Sequence, residues 1–268
     1  MPFTISHTAV VLPFSRLLAR WQMLSAVVIG AMVPDFRLLL PWEMQRFETH
    51  SAISLLTFCL PVGLITYWVF QGLIKTPLVE VLPDGAYARW QPFAAPGEFG
   101  SLRQWLLAAL GVLAGAVTHL VWDGFTHEGG RGVRIFPFLD DPIDLGRHHW
   151  DALRIMQDLG SLVGLAVVLA LLAYTLRPAR HAARPHRLVS PVERRWWVLA
   201  YVGATVLISV GFYYWSHLGE PVSHSVIVRA SQIAVATLRG LAAALLTVSL
   251  ALDSRLRALR QRSSGPGR

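Results

Sequence analysis

Cysteine is almost absent from this 268-residue chain: Cys59 is the only one. An intrachain disulfide and a cysteine metal cluster are both excluded, so any metal has to be held by histidine and carboxylate. Charge is scarce as well. Asp, Glu, Lys and Arg make up 15% of the residues, against about 25% in soluble domains. The N-terminal stretch MPFTISHTAV carries no basic residue, the first being Arg16. It therefore lacks the n-region of a cleavable signal peptide and is expected to be retained. No internal repeat is visible.

What fills the space left by charge is apolar. Hydrophobic residues reach 54% and the mean hydropathy is +0.47. Apolar stretches at 52–74, 103–122, 155–176, 196–215 and roughly 225–251 are each near or above the about 20 residues that cross a bilayer as a helix. A shorter pair, 5–18 and 22–33, is separated by Arg16 and Arg20 and reads as a helical hairpin in preference to one kinked span. The expected fold is an all-α integral membrane bundle of five long transmembrane helices plus that N-terminal hairpin.

The net charge of +8 is placed for a membrane, not for nucleic acid. Loop 177–195 holds Arg177, Arg180, Arg184, Arg187, Arg194 and Arg195 against Glu193 alone, and the tail adds Arg255, Arg257, Arg260, Arg262 and Arg268. The turn 216–224 between them has neither Lys nor Arg. This alternation follows the positive-inside rule and puts the loop and the C-terminus in the cytoplasm. Counting spans backwards then puts 123–154 and 34–51 outside an inner (cytoplasmic) membrane. The expected parts are a membrane-embedded domain over 1–176, a basic linker over 177–195, a helix pair over 196–251, and a basic tail over 252–268 whose end is disordered.

The chemistry concentrates on the outer face. His119, Asp123 and His127 follow one another at four-residue steps in AVTHLVWDGFTHEGG, and on a helix such residues share a face. His7, Asp35 and His50 reach the same side of the membrane in this topology. Imidazoles and carboxylates together are ligands for a divalent ion, Zn²⁺ above all, with a position left for water. Glu128, next to the triplet, is the expected general base. A hydrogen-bonded structural cluster and a proton path are the competing readings. A second polar group, Asp140, Asp141, Asp144, His148, His149 and Asp151, reads first as a solvated loop and otherwise as further ligands. Arg239 lies well inside the last apolar stretch and is expected to pair with an acid or to mark a later helix start. Gly111 with Gly115, and Gly160 with Gly164, are GxxxG-type pairs that permit close helix approach.

The elements MPFTISH, VIGAMVPDF, Thr49-His50 and HLVWDGFTH resemble those of an uncharacterised bacterial membrane family, of the domain-of-unknown-function kind, over roughly residues 1–176. More loosely, the pattern is similar to membrane-bound metal-dependent hydrolases, and distantly to the all-helical zinc phospholipase C and single-strand nuclease fold. That likeness implies ligand roles for His7, Asp35, His50, His119, Asp123 and His127. The soluble fold closes its site with a later His-x-x-x-Glu, which this chain lacks, so one or two metals are implied and not three.

The function expected from these features is metal-assisted hydrolysis of an ester, including a phosphodiester, in a membrane lipid. The alternatives are a non-catalytic scaffold with a structural cluster and, behind it, a transporter.

Overall fold

The computed structural model describes residues 4–40, 42–95, 99–145, 148–177, 187–218 and 225–263. Among them, five helices are long and apolar enough to cross a membrane: Leu55–Glu80, Leu102–Thr126, Ala152–Leu176, Pro191–Ser216 and Val228–Arg262. The chain is a membrane-spanning helical protein. The helices are α1 (Ser15–Arg20), α2 (Leu24–Gly30), α3 (Arg46–Thr49), α4 (Leu55–Glu80), α5 (Asp84–Trp90), α6 (Leu102–Thr126), α7 (Arg131–Ile135), α8 (Ala152–Leu176), α9 (Pro191–Ser216) and α10 (Val226–Ser263). Two compact units are present. One holds residues 1–37, 42–67 and 98–174, the other 38–41, 68–97 and 175–268.

The first unit contains the N-terminal hairpin. A 3₁₀ stretch over Thr4–Phe14 leads into α1, and the chain turns at Gln22, whose φ is 60°. It then returns as α2 and ends in a second 3₁₀ stretch, Val33–Leu39. Close approach of α2 to α6 is the main packing event here. A Cβ on Gly115 would lie 2.1 Å from the Val27 carbonyl oxygen, and one on Gly30 would lie 2.2 Å from that of Val112. The two backbones touch because both positions lack side chains. Ser6 ties the hairpin to α8 by donating to the Ser161 carbonyl at 2.8 Å.

Helix α4 is longer than its apolar run. It continues through Lys75 to Glu80, beyond the apolar stretch 52–74, and it contains π turns at Leu55–Cys59 and Phe70–Ile74. Each π turn precedes a proline, Pro61 or Pro77. Proline clashes with the carbonyl four residues back and cannot donate to it, and the wider turn relieves both faults. Just before it, Ser51 Oγ accepts the Ser54 amide at 3.2 Å, closing the turn that leads into the helix.

The second unit is built on α9 and α10. Ser190 caps α9, accepting the Glu193 amide at 3.2 Å. Helix α10 runs to Ser263, so the basic stretch after 251 is helical, held by Arg255–Glu193 at 2.9 Å and Arg257–Asp253 at 2.8 Å. Among the described residues Arg239 pairs with no acid: it donates to the Leu38 and Leu40 carbonyls at 2.8 and 2.9 Å. Carbonyls at the end of a helical stretch carry partial negative charge and free acceptor capacity, which serves a guanidinium inside an apolar helix as an acid would. Residues 264–268, with the end of the tail, lie outside the described residues.

The polar group after Asp140 is a two-stranded antiparallel hairpin and not a loop. Strand β1 (Pro142–Leu145) pairs with β2 (His148–Asp151), with Asp144 opposite His149. The side chains of Asp144, His148, His149 and Asp151 lie outside what is described.

Candidate metal centre

Helix α6, the two 3₁₀ stretches and the end of α3 supply the side chains of the centre, all from the first unit. Helix α6 presents His119 and Asp123 one turn apart, with His119 Nε2 3.6 Å from Asp123 Oδ2. The glycine contact with α2 brings His119 Nδ1 within 2.8 Å of the Ala31 carbonyl. A carbonyl only accepts, so Nδ1 is the protonated nitrogen and Nε2 is left to face the cluster. The His119 ring is completely buried.

The 3₁₀ stretch Thr4–Phe14 brings in His7, whose ring stacks on that of His119 with centroids 3.8 Å apart. His7 Nε2 lies 3.6 Å from Asp123 Oδ1. The second 3₁₀ stretch brings in Asp35. Its Oδ2 accepts the Thr4 hydroxyl at 3.0 Å, which turns Oδ1 toward His50 Nε2 at 3.5 Å and His119 Nε2 at 3.8 Å. His50 follows α3, its Nδ1 2.8 Å from the Thr49 hydroxyl. With that hydroxyl directed to the Arg46 carbonyl at 3.3 Å, His50 Nδ1 is the donor and Nε2 the free nitrogen, 3.4 Å from Asp123 Oδ2.

His7, Asp35, His50, His119 and Asp123 are thus brought together from four separate parts of the sequence. Their ligand atoms form two overlapping groups, His7/His119/Asp123 and Asp35/His50/His119, within each of which every pair lies within 4.8 Å. The spacings decide what the cluster can do. Imidazole and carboxylate joined by a hydrogen bond sit about 2.7–2.9 Å apart. Two ligands about 2.0–2.2 Å from one tetrahedral ion sit about 3.3–3.6 Å apart. Four of the separations here, 3.4 to 3.6 Å, fall in the second range, and that between His119 and Asp35, at 3.8 Å, is slightly longer; none is as short as the first. His7 Nε2, His119 Nε2 and Asp123 Oδ1 are moreover buried without a hydrogen-bond partner.

His127 is placed differently from its expected position. Helix α6 ends at Thr126, and His127 is extended, with φ −131° and ψ 143°. It does not continue the face of His119 and Asp123. The turn that follows contains Gly129 at φ +67°, a conformation that ends helices. Even so, His127 Nδ1 lies 3.7 Å from Asp123 Oδ1, at the rim. Burial holds the His127 imidazole below its usual pKa, helped by the Arg46 charge and opposed by Asp123. Burial would raise the Asp35 carboxyl, but the neighbouring His50 and His119 imidazoles outweigh it and hold the group below the ordinary carboxylate value. Glu128 stands on the exposed turn after His127.

Arg46 was not foreseen. Its Nη2 pairs with Asp123 Oδ2, placing a fixed positive charge against the cluster. The signal available was its position four residues before His50. Thr49 is marked only as the partner of His50 in the Thr-His element, and Thr4 and Ala31, which also orient ligands, carry no role of their own in the sequence.

The chain belongs to a family described as a domain of unknown function, DUF4184, whose model matches residues 1–250. No curated protein and no solved structure matches the chain significantly.

Proposed function

We propose that this protein binds a divalent metal, Zn²⁺ in the first place, at the His/Asp centre and hydrolyses an ester or phosphodiester bond of a membrane lipid there. The observation that carries the reading is the set of buried, unpartnered atoms His7 Nε2, His119 Nε2 and Asp123 Oδ1. Leaving such atoms unsatisfied costs about 1–3 kcal/mol each, and a cation among them removes the cost at all three. Because His119 offers one free nitrogen, an ion bound there draws on both ligand groups at once, and a second ion has to use the remaining residues. A bound ion of this kind lowers the pKa of its water toward about 7.

The chain's own residues supply the rest. Asp35 and Asp123 bring two negative charges and Arg46 offsets one, so a divalent ion leaves the centre at a net charge of +1. The Ala31 and Thr49 bonds fix the His119 and His50 rings, as the outer partners of metal-ligating histidines do. His127 at the rim, and Glu128 beside it on the solvent side, are assigned to orient and deprotonate the attacking water. The arginine-rich loop 177–195 and tail orient the chain with both inside, which puts the centre on the outer face of the inner membrane.

One observation favours a second reading. The Arg46–Asp123 pair already gives Asp123 a counter-charge, so the cluster can serve as a structural knot without metal. Release of p-nitrophenol from bis(p-nitrophenyl) phosphate by purified protein separates the two. The hydrolase reading expects rate that is lost with a chelator and restored by Zn²⁺; protein that retains metal but has no rate is the scaffold.

A further inference from the structure

A groove of about 630 Å³ opens between the 3₁₀ stretch Thr4–Phe14 and helix α8, with His7 in its wall. Apart from His7, Ser6 and the indole N–H of Trp122, its lining is apolar: Val10 and Pro13 on one side, Val163, Val167 and Leu171 on the other. Ser6 is already committed to the Ser161 carbonyl, so His7 is the one ionisable group the groove can offer a ligand.

We propose that this groove is the acyl-chain site of the centre, and that the substrate is a phospholipid that enters sideways from the bilayer with one chain along α8 and its phosphate at His7. The identity of the headgroup chemistry rests on the metal-hydrolase reading; the groove itself has its own support. Helix α8 is the most hydropathic of the five spans and the second least covered by protein, with 11% of its window buried. Leu159, Leu162 and Leu169 are 52–61% exposed on it, so the groove opens into hydrocarbon. A void there forfeits dispersion contacts that a chain would supply, and the solvent at that depth consists of lipid chains.

The dimensions agree. The volume falls within the about 300–1,000 Å³ of ligand pockets. From Gly160 to Leu171 the α8 lining runs about 16 Å at 1.5 Å per residue, close to the about 15 Å that one leaflet contributes to a hydrocarbon core of about 30 Å. Moving a chain from lipid into an apolar groove expels no water, so shape, not hydrophobicity, retains it. Selectivity then comes from the phosphate, which meets imidazoles and Arg46.

The test uses full-length protein in vesicles of phosphatidylglycerol doped with a phosphatidylglycerol that carries a diazirine near the end of one palmitoyl chain. After photolysis, adducts are mapped by peptide mass spectrometry and bound metal is measured on the same samples. Adducts are expected to concentrate on α8 residues 163–171 and on 9–13. Val167→Trp, which fills the groove without touching a ligand, is expected to lower them by about tenfold, equivalent to roughly 1.4 kcal/mol, with metal content unchanged. Val202→Trp, on the lipid-facing side of α9, should leave them as they are. Val163→Phe blocks the same space should Val167→Trp not fold. Adducts spread over α8 and α9 in proportion to exposed surface, or adducts that survive both groove variants, overturn the acyl-chain site while leaving the metal reading intact. Groove adducts on a protein that binds no metal overturn the metal reading and leave a lipid-binding groove.

Discussion

His119 donates through Nδ1 to the carbonyl of Ala31, 88 residues earlier in the chain, at 2.8 Å. One hydrogen bond fixes the ring's rotation and its tautomer, and leaves Nε2 buried among Asp35, Asp123 and His50. The bond exists because Gly30 and Gly115 let α2 and α6 meet backbone to backbone. A pair of residues without side chains therefore controls the centre's geometry.

This makes Gly115 a test of the assembly. In Gly115→Val the new Cβ would meet the Val27 oxygen at 2.1 Å and the Ala31 nitrogen at 2.6 Å, so the helices must separate. We expect bound metal to be lost although no ligand is altered, together with a stability loss of at least about 1–3 kcal/mol, the usual cost of overpacking. Metal analysis and thermal unfolding in detergent check both. Unchanged metal content would show that His119 does not depend on this contact.

Asp123→Asn should weaken metal binding more than Glu128→Gln. Asp123 is buried and lies within 3.7 Å of four imidazoles, those of His7, His50, His119 and His127, whereas Glu128 is exposed on a turn. Glu128→Gln is expected to keep the metal and lose rate. Equal metal retention in the two variants would remove Asp123 from the ligand set.

Arg46→Gln separates the metal site from the structural knot. A cation against a cation site repels the ion, as a like charge nearby disfavours a charged neighbour, so removing it should leave metal affinity unchanged or raise it. If the pair with Asp123 is instead the reason the cluster exists, the variant should lose stability, by less than the about 3–5 kcal/mol of a fully buried pair because the Arg46 side chain is 36% exposed and screened by solvent, with no metal to recover it. Calorimetry with and without Zn²⁺ distinguishes the outcomes.

The pH dependence has a definite sign. Metal binding competes with protons at the imidazoles. The pKa of His127 is held below its usual value and that of Asp35 below the carboxylate range, so both groups are free of protons at pH 7. In the windows between these depressed values and the unfolded values, about 6.5 and 3.9, the unfolded chain binds more protons, and stability falls as pH falls. Zn²⁺ should therefore be retained from neutral pH through about 6.5, the ordinary imidazole value, and released only at lower pH. Release on raising the pH from 6 to 8 would contradict this.

Topology is tested by labelling. Ser190→Cys and Ser264→Cys are expected to be shielded from an impermeant maleimide added outside intact cells; Cys59 is fully buried and needs no replacement. Labelling of either from outside would move the centre to the cytoplasmic face.

Much of this architecture is legible in the residues themselves. Five long apolar runs become five helices because a run of such length has one use in a chain this poor in charge. The hairpin break after Arg20 falls where the charges interrupt the pattern. Less was legible where a local signal competes with context. His127 keeps the four-residue spacing but leaves the helix, since the glycines after it end α6 first. Lys75 and Glu80 look like a loop by charge and are helix by backbone. Arg239 called for an acid, and the carbonyls of Leu38 and Leu40 serve instead, a partner that side-chain chemistry alone does not announce. Arg46, Thr4 and Thr49 became part of the centre only through packing that joins distant segments.

The central claim is that the centre holds a metal. The full chain, purified in detergent, exposed to Zn²⁺ and desalted, should carry one or two ions per molecule by elemental analysis. His119→Ala and His7→Ala should each carry far less while remaining monodisperse. A folded wild-type protein that retains no divalent metal under these conditions would contradict the account and leave the cluster as a structural knot.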